Sequence, residues 1–307
     1  MKKIIYFILS LAIVSCTPAK KEESSDSKTP NSNESSSTEA TAGNATNVYW
    51  GDTHLHTNLS MDAGLFGNRI GLDEAYKFAK GEEVTASIGI KAKLSRPLDF
   101  LVVADHSDGM GLFQAIDAGD EWVMKTTQGK RWNGLIKTGE GGVAALELIK
   151  AFSNTKLEMN PNDPVLQKSV WGMTVEAAEK YNDPGKFTAF IGYEWTSLDK
   201  GNNLHRVIIY RDDADKTLGQ IPAVTNALSP DPETLWPQLE SYEKSTGGKV
   251  LAIAHNGNLS NGIMFAETRM NGESFDEAYV KNRIKWEPLY EATQIKGDGE
   301  AHPFLSP

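Results

Sequence analysis

Five of the six histidines in this 307-residue chain stand at the ends of short apolar runs, and that arrangement restricts the fold more than any other feature. His54 and His56 lie in Gly51-Asp52-Thr53-His54-Leu55-His56, directly after Val48-Tyr49-Trp50. Side chains alternate faces along a strand, so both imidazoles would point to one side while Leu55 packs on the other. Two imidazoles so placed can share a metal ion such as zinc, iron, manganese or nickel. Alone, an H-x-H pair also suits two ordinary histidines at a strand end. The remaining histidines weigh against that reading. His106 ends the run Leu98 to Asp105, His205 opens Val207 to Tyr210, and His255 ends Val250 to Ala254. His302 follows Lys296-Gly297-Asp298-Gly299-Glu300-Ala301. Histidines scattered through a core would not gather so regularly, and the set reads as a site.

The runs themselves are strand candidates: 47–53, 98–104, 187–193, 205–211, 249–254 and 288–295. Helical patterns lie between them at 72–80, 143–152, 173–181 and 233–245. Most runs are apolar throughout rather than alternating, as strands buried on both faces of a parallel sheet are. The alternation of the two types predicts an α/β fold of βα units, in an open sheet or a barrel. Barrel enzymes carry their chemistry at the C-terminal strand ends. His54, His56, His106, Glu194 and His255 would all sit there, which favours a barrel over a sandwich. Between His106 and Phe187 the pattern loosens into Gly-rich turns, Asn160-Pro161 and Asp163-Pro164 breaks, and three tryptophans. A helical insertion over 111–186 is expected, either shaping access to the site or packing at its periphery.

The N-terminus carries Met1-Lys2-Lys3 and an apolar run from Ile4 to Val14, too short to span a bilayer and flanked as a signal peptide is. Ile13-Val14-Ser15-Cys16 resembles a bacterial lipobox, which implies a leader over 1–15, cleavage before Cys16 and lipidation of that residue. Thr17 after the cysteine favours the outer membrane where there are two. Residues 16–47 are Ser, Thr, Glu, Lys and Asn with almost nothing apolar, and read as a disordered tether holding the folded part off the membrane. About 260 residues remain from Val48 onward, enough for one large domain over 48–307. Cys16 is the only cysteine, so the mature chain has no internal disulfide and offers no second thiolate. Any metal must be held by His, Asp and Glu. A net charge of -10 argues against nucleic acid as a partner.

Glu194, in Phe190-Ile191-Gly192-Tyr193-Glu194-Trp195, would end a buried strand and needs a partner there. A salt bridge would suffice. A carboxylate bridging two cations would also, and paired ions activate water well. Taken together, G-D-T-H-L-H-T-N-L-S-M-D at 51–62, V-A-D-H-S-D at 103–108, G-Y-E-W at 192–195, H-R-V at 205–207, A-H-N-G at 254–257 and E-A-T-Q-I-K-G-D-G-E-A-H-P at 291–303 resemble the PHP (polymerase and histidinol phosphatase) superfamily. Within it, they resemble a bacterial branch known as domain of unknown function 3604.

The resemblance implies a distorted (βα)7 TIM-like barrel with two or three divalent metal ions: zinc, manganese or iron. It implies that His54, His56 and Glu194 hold one metal, and that Glu194 bridges to a second on His205 and His255. A third would use His106 and Asp62, where many members have histidine. Asp52 and Asp105 would accept from imidazoles and fix their tautomers, or serve structure only. Glu194 and Asp105 are thus the residues assigned to catalysis. Arg206, Asn256, Lys296 and Arg69, adjacent to ligands in sequence, are expected substrate contacts, with a solvated surface role as the alternative. His302 and Asp298 receive no role. The superfamily closes its site with an Asp-x-His that does not occur after Glu291, so the chain is expected to lack the last strands and two ligands.

The implied activity is hydrolysis of a small anionic phosphate ester, mono- or diester, by water whose pKa the metals lower. The amidohydrolase fold also opens with H-x-H, so C–N or lactone hydrolysis remains an alternative. A lipid-anchored binding protein braced by metals is a third.

Overall fold

The computed structural model describes residues 47–154, 156–225 and 229–299. The expected leader and tether up to residue 46, with Cys16, lie outside the described residues, as does His302. No helix among the described residues is long and apolar enough to cross a membrane.

Six strands join in one sheet in the order of the chain: β1 (Gly51–Leu55), β2 (Phe100–Val103), β3 (Thr188–Trp195), β4 (Arg206–Tyr210), β5 (Val250–Ala254) and β6 (Leu289–Tyr290). Each falls in or against one of the six runs read from sequence. The last run divides, because Thr293–Gln294 leaves the sheet and pairs back on Gly297–Asp298. Their apolar character has the expected cause. Leu101, Val103, Ile191, Tyr193, Ile208 and Ala252 pack into the helix-covered core, while Val102, Ala104, Val207, Ile209 and Ile253 pack on the opposite face. A strand buried on both sides cannot alternate polar and apolar residues.

The sheet is mixed, which the sequence reading did not anticipate. β1, β2 and β3 run parallel, β4 runs against both β3 and β5, and β5 and β6 are parallel again. The reason is the connection from β3 to β4, residues 196–205. It holds only the small hairpin of Leu198–Asp199 with Asn202–Asn203, and a parallel crossover needs a longer path. The sheet curls into a half-barrel, with β1 and β6 at its edges. The described residues thus form a half-barrel and not the closed barrel that the resemblance implies. Its uncovered face lines a cavity of about 660 Å³, with Phe100, Phe190, Ile209, Leu251, Ile253 and Leu289 on its wall.

Ten α-helices surround the sheet among the described residues. The first, α1 (Met61–Leu65), follows His56 closely; α2 (Leu72–Ala79) buries Leu72, Ala75, Tyr76 and Ala79, the spacing of one helix face. The expected insertion holds α3 (Leu112–Ala118), α4 (Glu121–Met124), α5 (Thr127–Lys137) and α6 (Gly141–Ser153). Then α7 (Pro164–Tyr181) brings the chain back to β3. Asp163 caps it by accepting from the Val165 and Leu166 amides, and Pro164 begins it.

Helices α3, α5 and α6 form a second core, around Phe113, Ile116, Trp132 and Leu148, into which α1 inserts Met61 and Leu65. Gly64 lies against the Phe113 ring and Gly141 against the Leu65 carbonyl, where a Cβ would clash. The insertion thus buttresses α1. After β4 come α8 (Ala214–Thr217), α9 (Pro232–Thr246) and α10 (Glu277–Trp286).

One buried ion pair ties β4 to these last helices. Arg206 lies 3.1 Å from Glu287 (Nε to Oε1), and both side chains are buried. Trp236 donates to the same Glu287 oxygen at 3.0 Å. Burial disfavours the Glu287 charge, but Arg206 and Arg283 hold its pKa below the usual carboxylate range. The pair therefore stabilises the fold above the ordinary glutamate pKa, and that contribution is lost as pH falls through the lower folded value. Replacing Glu287 by Gln leaves Arg206 buried without its counter-charge and should cost about 3 kcal/mol. Urea denaturation at neutral pH measures the loss, and the acid limb of the variant's stability profile should be shallower.

Candidate metal centre

The reversal of β4 brings the site together. In a parallel strand the last residues reach the end where β1, β2 and β3 finish; in β4 the residue before the first does so. Arg206 pairs with Trp195 on one side and Ala254 on the other, so His205 and His255 meet beyond the sheet. His106 bridges to Glu194 past the end of β2, with the Ser107 amide donating to the Glu194 carbonyl at 2.8 Å. A bulge between Asp52 and Leu55 irregularises β1, yet the rings of His54 and His56 still lie 5.0 Å apart.

At the centre is the Glu194 carboxylate, 0% exposed. Oε1 lies 2.6 Å from His205 Nδ1 and 2.6 Å from His255 Nε2. Oε2 lies 2.8 Å from His56 Nε2, 3.2 Å from His106 Nδ1 and 3.4 Å from His54 Nε2. The five rings close a circuit around it. From His54 the circuit runs through His56, His106, His205 and His255 and back, with centroids 4.1 to 5.9 Å apart.

Burial disfavours the Glu194 charge, but the surrounding imidazoles, His106 first, hold its pKa well below the ordinary value. The same burial opposes protonation of the rings, and the outcome differs among them. It prevails at His205, whose pKa falls to about 3, and at His255. At His54, Glu194 and Glu291 overcome it and raise the pKa to about 9. At His56, Asp62 and Glu194 do so.

Among the described residues, two groups have ligand atoms all within 4.8 Å of one another: His54, Glu194 and His255, and His56, His106 and Glu194. This grouping differs from the one the resemblance implies. His54 joins His255 rather than His56, and His106 joins His56. His205 faces Glu194 but belongs to neither group. The chemistry fits divalent cations. His56 Nε2, His205 Nε2 and Glu194 Oε2 are buried without a hydrogen-bond partner, and the short His56 to Glu194 approach lacks hydrogen-bond alignment. Nitrogen and carboxylate donors without sulfur suit zinc, manganese or iron.

Other residues take places that the sequence reading did not give them. Asp62 does reach the centre, 3.0 Å from His56 Nδ1 and 3.3 Å from His106 Nε2. Asp105 does not touch an imidazole. It accepts from the Thr57 amide at 2.6 Å and the Thr57 hydroxyl at 2.7 Å, which fixes the turn after His56. Burial raises its pKa against those bonds and the nearby His56 charge. Asp52 accepts from the His54 amide.

Arg206 is committed to Glu287 and to the Leu204 carbonyl, and cannot be a substrate contact while so buried. Arg69 donates to the Gly64 and Asn68 carbonyls. Asn256 is buried in a left-handed conformation, φ +58°, and neither side-chain polar atom has a hydrogen-bond partner. Lys296 lies 3.5 Å from Asp62 and lines the mouth of the site. Asp298 accepts from the Thr293 hydroxyl, within its own hairpin.

Sequence reasoning missed Glu291, whose Oε2 lies 2.7 Å from His54 Nδ1. No strand-end signal marked it in the sequence, where the apolar run reads as 288–295 with Glu291 inside it, whereas β6 ends at Tyr290. It also missed Thr196, 2.9 Å from His106 Nδ1. His54, His56, Asp62, Glu291 and Lys296 open into a cavity of about 680 Å³. No described residue of the insertion lines it, so the insertion acts here through α1 and Asp62.

The Thr57 anchor provides a direct check on how the turn is held. Thr57→Val should leave one Asp105 oxygen without its donor and lower stability by roughly 1–3 kcal/mol. Chemical denaturation of the two proteins at neutral pH would reveal it.

A family model described as a protein of unknown function (DUF3604) matches residues 43–307. No curated protein and no solved structure matches the chain. The match runs across the sheet, the insertion and every histidine and carboxylate of the centre, and the chain belongs to the DUF3604 family.

Proposed function

We propose that this chain is a metal-dependent hydrolase of phosphate esters with a PHP-type fold. The observation that carries the reading is the single buried carboxylate of Glu194, faced by five imidazoles that divide between its two oxygens. A structural salt bridge needs one partner, whereas a carboxylate shared between two clusters suits two cations. His54, His255 and Glu194 would hold one ion; His56, His106 and Glu194 would hold another, with Asp62 beside it. Divalent ions bound there supply Lewis acidity toward a phosphoryl oxygen and lower the pKa of water.

The chain's own residues set the conditions for that chemistry. Glu291 at His54 Nδ1 and Asp62 at His56 Nδ1 hold each ring so that Nε2 faces Glu194, an arrangement that raises the basicity of a ligand. Lys296, over Asp62 at the cavity mouth, offers a cation to an anionic substrate. The lipobox resemblance adds a location: lipid-anchored in a bacterial envelope, the outer membrane where there is one, acting on small molecules rather than nucleic acid.

Elemental analysis tests the reading. The purified protein should carry about two divalent metals per chain, and Glu194→Ala should lose most of both. Glu291→Gln should keep the fold and weaken metal affinity about 10- to 100-fold. Hydrolysis of p-nitrophenyl phosphate or its diester should disappear with a chelator. One metal or none in the well-folded protein would sink the assignment. Full metal without turnover of any phosphate ester would favour C–N hydrolysis or a binding role.

A further inference from the structure

The cavity above the centre has two chemically distinct halves. Its floor is ionic: His54, His56, Asp62 and Glu291. Its rim carries Phe66 and Ile295, apolar side chains that are 63% and 99% exposed. Single exposed apolar residues are ordinary. These two come from distant parts of the chain and face one cavity, beside Lys296 as its cation.

Both are held by built supports rather than by loose loops. Phe66 caps the end of α1, its amide donating to the Asp62 carbonyl at 2.9 Å, and α1 is packed into the second core. Ile295 and Lys296 form the tip of the hairpin of Thr293–Gln294 with Gly297–Asp298. Gly297 takes φ +110° at its turn. Thr293 donates to Asp298 at 2.6 Å across the hairpin, and Asn258 donates to the Lys296 carbonyl at 3.1 Å. The tip therefore places a cation toward Asp62 and an apolar side chain next to it. A cavity of about 680 Å³ has the size of a small-molecule site, with room for far more than a phosphate group.

We propose that the substrate is an amphiphilic phosphoester, its phosphate at the histidine–carboxylate floor near Lys296 and its aryl or alkyl group between Phe66 and Ile295. This inference rests on the phosphoester reading above and names the substrate class for the same site.

Affinity tests it without turnover. Metal-replete protein is titrated calorimetrically with phenylphosphonate and with methylphosphonate, whose C–P bonds resist hydrolysis. Phenylphosphonate should bind about tenfold or more tightly. The ratio should collapse toward unity in the double variant Phe66→Ser/Ile295→Ser, with thermal unfolding checking that the fold is kept. Equal affinities in the wild type, or a preference retained by the double variant, would overturn this inference and leave the phosphoester reading standing. Failure to bind either phosphonate, together with failure to cleave p-nitrophenyl phosphate, would overturn both.

Discussion

A carboxylate with no exposure to solvent is expensive to keep ionised, and the architecture of this chain is arranged around keeping Glu194 so. Its partners come from five different places: the end of β1, the turn after it, the end of β2, the residue before β4 and the residue after β5. None of these could be displaced by more than about an ångström without breaking the circuit of rings. The centre and the sheet therefore depend on each other. The strands deliver the imidazoles, and the buried carboxylate gives the converging imidazoles a counter-charge at the floor of the cavity.

The elements outside the sheet serve that convergence. The insertion between β2 and β3 packs a core of its own against α1, and α1 carries Asp62 to the far side of His56 and His106. Thr57, bound through both its amide and hydroxyl to Asp105, fixes the turn between His56 and α1. Arg206, adjacent to His205, is clamped by Glu287 from the end of α10, so the reversed strand is held in position from behind. A site on strand ends supported in this way is more rigid than one carried by loops. Its mouth differs in kind, being rimmed by a two-stranded hairpin and a helix end whose apolar side chains are exposed. The floor is built for ions and the rim for recognition. The fold alone does not decide the reaction; the donor set and the chemistry of the mouth do.

Much of this was legible in the chain because it follows from local pattern. Six apolar runs became the six strands of the sheet, since strands buried on both faces leave apolar runs of strand length between turn residues. Histidines at the ends of those runs marked the site for the same reason: a strand end is where side chains leave the core. Asp62 was found through the resemblance rather than through its own surroundings. Glu291 carried no strand-end signal, because the apolar run reads through it to residue 295 while β6 ends at Tyr290. Arg206 and Asp105 show the limit of adjacency in sequence, which says nothing of which way a side chain is committed; of the two roles open to Asp105, its contacts fit the structural one. Arg206 turned out to answer a buried glutamate some eighty residues away, and Asp105 to answer a backbone turn rather than a ring.

The sequence by itself determined the class of structure, the number of sheet strands and the identity of the residues able to hold a metal, because burial and residue chemistry are written locally. Only the tertiary structure decided how those residues are grouped. Strand direction did this. A connection from β3 too short for a crossover reversed β4, set His205 beside His255, and left His54 with His255 and His56 with His106 around one carboxylate. Distances across a sheet depend on register and direction, which are settled by the packing of the whole chain and not by any one segment.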